Sequence, residues 1–154
     1  VIPPFNERAA AGVVEGLCRL KAHEALDEVL GIARLKAQSV VLDRVAASAA
    51  EHAPRLLRQD TGERIEGFLL WCLETDEYRL ATHRAALTIG ERKLDTPELL
   101  AALRGLLPFD PTQRMRRFVV QPAVGWAIQE LTGETPALPV IWNHQGDWIV
   151  RKAN

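Results

Sequence analysis

Residues 76–134 state one helical phrase nearly twice, and this repetition narrows the fold more than any other feature of the chain. Asp76 opens an Ala/Leu-rich stretch that closes on Gly90-Glu91, and Asp95-Thr96-Pro97 opens a Leu-rich partner reaching Leu107. Asp110-Pro111 then begins a second long stretch, which closes on Gly133-Glu134. Acidic caps, proline at a first helical position and a glycine at the end are the marks of helix boundaries. An isolated amphipathic pair has too small a core to stand alone, so such units stack and share one apolar seam.

The remainder of the chain obeys the same period. After Pro3-Pro4, Asn6 offers an N-cap, and Ala10, Val13, Val14, Leu17 and Cys18 recur at helical steps. A break near Lys21-Ala22 precedes a helix through Leu26, Val29, Leu30 and Ala33. A third is expected to end near Ala53, because Pro54 disfavours helix in the residue before it. Asp60-Thr61-Gly62 is a turn before a fourth, through Ile65, Phe68, Leu69, Trp71 and Cys72. Asp76 caps the fifth, which should stop at Gly90 as a C-terminal glycine; Asp95 or Thr96 caps the sixth. In the seventh, Pro122 predicts a kink or a break. By length and punctuation the helices pair as 7–20 with 23–35, 38–53 with 62–74 and 77–91 with 97–107.

The expected fold is therefore all-α, a stack of about three or four antiparallel helical hairpins over residues 1–134. Residues 135–154 read as a tail that packs over the last helices, with a short strand near Asp147–Arg151. An irregular helical bundle is the alternative, since Asp76 to Asp110 spans only 34 residues.

Composition excludes several classes. An apolar fraction of 47% and a net charge of −1 describe an ordinary globular chain with no global field toward nucleic acid or membrane. Only residues 111–154 lean basic, with five Lys/Arg against three Asp/Glu. No apolar run approaches the ~20 residues of a membrane span. Val1-Ile2-Pro3-Pro4-Phe5 lacks the layout of a secretion signal and an initiator Met, which suggests a processed start or a segment cut from a longer chain. Cys18 and Cys72 lie in apolar stripes and read as buried free thiols, which favours the cytoplasm.

With Asp76, Arg79, Ala85-Ala86-Leu87 and Ile89-Gly90 on one helix and Pro97-Glu98-Leu99-Leu100 and Leu103 on its partner, the chain resembles HEAT-repeat proteins of the short bacterial kind. The ending Ala127-Ile128-Gln129-Glu130-Leu131-Thr132-Gly133 is similar to a last repeat of that family. The resemblance implies a right-handed stack whose concave helical face holds a partner.

Isolated motifs carry little chemistry. Asp60-Thr61-Gly62 spells the aspartic-protease triplet, but in a single copy flanked by charged residues rather than at the end of an apolar strand. His23 and Asp27 stand four apart, a metal-ligand spacing without an evident third ligand. His52, His83 and His144 stand alone. No phosphate loop or nucleophile elbow occurs, and neither metal nor cofactor is expected. Arg79, Arg84, Arg114, Arg116 and Arg117 suggest a basic stripe, set against a solvated face paired with Glu74, Asp76, Glu77 and Asp110. Trp71 and Trp126 read as core, while Trp142 and Trp148 dock the tail or meet a partner. The expected function is a non-catalytic scaffold binding another protein or peptide. Contact with nucleic acid or an acidic partner through the arginine face, and a lyase-type enzyme on the same scaffold, are the alternatives.

Overall fold

The computed structural model describes residues 6–34, 41–74, 79–107 and 114–136. They form seven α-helices: α1 (Glu7–Arg19), α2 (Leu26–Arg34), α3 (Val41–His52), α4 (Gly62–Glu74), α5 (Arg79–Glu91), α6 (Pro97–Gly105) and α7 (Arg114–Thr132). Two 3-10 turns, His23–Ala25 and Ala53–Leu56, precede α2 and follow α3. No strand occurs among the described residues, and no helix is long and apolar enough to cross a membrane. The tail from 137 onward, with its expected strand and both Trp142 and Trp148, lies outside the described residues, as do Asp76 and Asp110.

Local signals set many boundaries. Asn6 caps α1, its side-chain oxygen accepting from the Ala9 N–H at 3.1 Å. The 3-10 turn begins at Ala53, one residue before Pro54, as the proline requires. Gly133, at φ 76°, closes α7 and donates its N–H to the Gln129 carbonyl at 2.8 Å. Thr61 ties the turn before α4: its buried hydroxyl donates to the Leu56 carbonyl at 2.6 Å and accepts from the Arg58 N–H at 2.8 Å. Thr96 is the N-cap of α6 by its extended backbone, but its hydroxyl makes no capping bond.

The most extensive packing runs between alternate helices, α1 on α3, α3 on α5 and α5 on α7. The even-numbered helices are less closely engaged: α2 lies on α3, α4 on α5, and α6 on α4 and α7, so the expected pairings of 7–20 with 23–35 and of 77–91 with 97–107 are not the close ones. Small residues make this row close. Ala46, Ala49 and Ala50 of α3, Ala81, Ala85 and Ala86 of α5, and Ala123 and Ala127 of α7 are all fully buried. Polar ties cross the seams, with the Ser48 hydroxyl donating to the Ala11 carbonyl at 2.9 Å and the buried Thr82 hydroxyl to the Cys72 carbonyl at 2.8 Å. One apolar core extends from Val14 of α1 to Ile128 of α7.

Two local expectations, at Gly90 and Pro122, also meet tertiary packing. Gly90 does not end α5, which continues to Glu91 and terminates instead at Lys93, a left-handed residue at φ 55°. Leu94 N–H then reaches back to the Ile89 carbonyl at 3.0 Å, the bond pattern of a glycine-type stop. Gly90 is small for another reason: a Cβ there would stand 2.7 Å from the Trp126 ring and 3.0 Å from the Ala127 Cα. Of the kink or break expected at Pro122, the break is absent, since α7 runs through it. Every residue from Val120 to Ile128 is buried, so surrounding packing holds the turn that proline weakens.

Gly90→Ala should therefore destabilise the protein by about 1–3 kcal/mol in urea unfolding, although alanine is the better helix former. An unchanged or raised midpoint would show that Trp126 yields without strain.

Candidate functional site

Leu30 and Gly31 of α2 share a helix face with Asp27 and Arg34, because they fall at steps of three and four. That face, with Glu63, Arg64 and Gly67 of α4, lines an open groove of about 450 Å³. At one end Arg64 Nη1 donates to Asp27 Oδ1 at 2.7 Å, and Arg64 Nη2 to the Asp60 carbonyl at 3.3 Å. At the other, the Arg34 guanidinium stands 5.6 Å above the ring of Phe68, a cation–π distance. Phe68 is fully buried and stacks on Trp71 with ring centroids 5.6 Å apart. The two contacts advance in the same sense along both helices, from Asp27 and Arg64 to Arg34 and Phe68.

The floor is glycine, of a kind that α1 also carries at Gly12 and Gly16, where a Cβ would likewise meet nothing within 4 Å. Gly31 and Gly67 are exposed and interior to their helices, and a Cβ on either would meet nothing within 4 Å. A helix-interior glycine costs about 1 kcal/mol relative to alanine. Internal packing explains Gly90 but explains neither of these. Their effect is to leave two helix backbones bare beside the buried side chain of Leu30.

A second polar feature crosses α1, α3 and α5. Glu15 accepts from Arg19 Nε at 2.7 Å; His52 Nε2 lies 3.9 Å from Glu15 and 3.8 Å from Glu51; Arg84 Nη1 lies 3.7 Å from Glu51. The His52 side chain is only 7% exposed, and its Nδ1 has no hydrogen-bond partner. Burial lowers its pKa from the ordinary 6.5, against the opposing pull of Glu51 and Glu15. The hydrogen bond from Arg19 lowers the Glu15 pKa, aided by His52. Burial pushes the Cys18 thiol up to about 11, so it is no nucleophile at neutral pH; both cysteines are free and buried.

Of the arginines and tryptophans expected to bind a partner, only Arg84 has a described side chain. Arg84 is engaged with Glu51, an acid outside the set expected to neutralise the arginines, and Arg104 pairs with Glu134 at 3.2 Å. Arg79 opens α5, and Arg114, Arg116 and Arg117 open α7, but their side chains are outside the described residues. His23 and Asp27 do not share one continuous α-helix, because His23 sits in a 3-10 turn, and the Asp27 carboxylate is taken by Arg64. Asp60 is exposed beside Arg58 at 3.1 Å, so the protease-like triplet is a surface turn. Trp126 is buried as expected, whereas Trp71 is half-buried. The groove itself was missed. Its available signal was a glycine inside each of two helical stripes, on the polar face.

No protein-family model, curated protein or solved structure matches this chain.

Because the fold favours neutral His52, the unfolded chain takes up the proton first as pH falls. The stability tied to this group is whole above about pH 6.5 and is lost below it. His52→Gln should flatten the fall in urea midpoint between about pH 6.5 and 5, a range above that in which Glu15 titrates. A wild-type slope persisting in the variant would assign the effect elsewhere.

Proposed function

We propose that this chain is a short HEAT-like α-solenoid that serves as a protein-binding module, holding a segment of a partner protein in the groove between α2 and α4. The odd-numbered helices packing in chain order, with even-numbered helices laid on them, support the stacked reading. On that reading α2, α4 and α6 make up the inner, partner-facing layer.

The observation that carries the binding role is the pair Gly31 and Gly67. Both forgo helix stability, neither is required by packing, and both face one groove. A bare helix surface lets a partner backbone come close, and mixed charges at the ends orient it. The groove's size suits a few side chains of an extended segment. Arg84 and Arg104 are paired with acids and give the nucleic-acid reading no comparable support.

A displayed library of random short peptides, panned on the protein with counter-selection on Gly67→Leu, tests this reading. Peptides that depend on the groove should emerge. Gly31→Ala and Gly67→Ala should each raise the urea stability by roughly 0.4–1 kcal/mol, and together weaken those peptides about tenfold or more. Stabilised variants that bind as well as the parent protein would sink the proposal.

A further inference from the structure

The groove is electrically polarised once its internal ion pair is set aside. Arg64 and Asp27 neutralise each other at 2.7 Å. Among the described residues, neither Arg34 nor Glu63 has an ion-pair partner, and both line the groove. Glu63 neighbours Arg64 at the end where α4 begins, while Arg34 is the last residue of α2, seated over Phe68. One end therefore presents an unpaired carboxylate and the other an unpaired guanidinium, with the glycine floor between them.

The seat of Arg34 matters for what it can hold. The guanidinium carbon stands 5.6 Å over the Phe68 ring centroid, a contact that limits its sweep, while its N–H groups have no carboxylate partner among the described residues. Guanidinium is planar, weakly hydrated and matched to a carboxylate in bidentate geometry. The position at the C-terminal end of α2 accounts for a cation there through the helix dipole. What distinguishes Arg34 from Arg8, Arg55 and Arg92, which also have no ion-pair partner among the described residues, is its place on the groove wall over Phe68.

We infer that the occupant is an extended peptide segment of a partner protein carrying one acidic and one basic residue about three positions apart, the acid on Arg34 and the base on Glu63, with small residues between them over Gly31 and Gly67. The spacing comes from helix geometry. Five residues along α4 from Glu63 to Phe68, or seven along α2 from Asp27 to Arg34, span about 8–10 Å at ~1.5 Å per residue. An extended strand covers that length in about three residues at ~3.3 Å each. The inference rests on the groove being a peptide site, and it adds the chemistry of what the site selects.

The same peptide selection tests it separately. Groove-dependent peptides should share an Asp or Glu and a Lys or Arg separated by about three positions. For a synthetic peptide of that kind, Arg34→Gln and Glu63→Gln should each weaken binding about tenfold, with steep salt dependence in the parent protein. Arg34→Glu should lose the peptide and recover binding when the peptide's acid is replaced by lysine. Circular dichroism and the urea midpoint serve as folding controls: each variant should stay folded, with at most a small fall in midpoint from the lost ring contact and helix-dipole terms. Groove-dependent peptides that lack the charge pair, or that ignore Arg34→Gln, would overturn this inference and leave the peptide site standing. If no peptide depends on Gly67, both fall together.

Discussion

Trp126 lying on Gly90 is the contact on which the rest of the packing depends. The last helix is buried all round from Val120 to Ile128, so it acts as a post rather than as a lid. It can stand that close to α5 only because residue 90 has no side chain and residue 127 has a methyl group. The same logic runs outward through α5 and α3, where alanines replace bulk and backbones approach. Close approach brings many weak dispersion contacts and excludes water, so this core gains its density from small residues as well as large ones. Phe68, Leu69 and Leu73 of α4 add the larger volumes.

The polar groups fit this arrangement. Lys93 takes a left-handed conformation that normally favours glycine, and its ammonium reaches the Glu130 carboxylate and the Glu130 carbonyl near the end of α7. The end of α5 is thereby tied to the helix it packs on. Gln121 does similar duty, donating to the Leu106 and Leu107 carbonyls where α6 runs out. A helix end leaves carbonyls unpaired, and a buried side-chain amide from the neighbouring helix satisfies them.

Glycine has two opposite meanings in this chain. At position 90 it is demanded from within, and any added atom collides. At 31 and 67 it is unexplained from within, and an added atom meets open space. This difference, invisible in one-letter code, separates a glycine that packing requires from one that it does not. Charge is legible in the sequence, whereas the absence of a side chain beside a groove is not.

The sequence by itself determined what depends on near neighbours along the chain. Apolar residues at helical steps placed the seven helices, and Asn6, Pro54, Pro97 and Gly133 marked ends that the structure keeps within a residue or so. Capping and proline geometry act over three or four residues, so they can be read locally. Only the tertiary structure decided what depends on distant ones. It turned Gly90 from a helix stop into a contact, carried α7 through Pro122, gave Asp27 to Arg64 and Glu51 to Arg84, and set two glycines from different helices across one groove. Those outcomes follow from which helix faces meet. Helix faces meet according to total buried area and backbone clearance, neither of which any short stretch of residues contains.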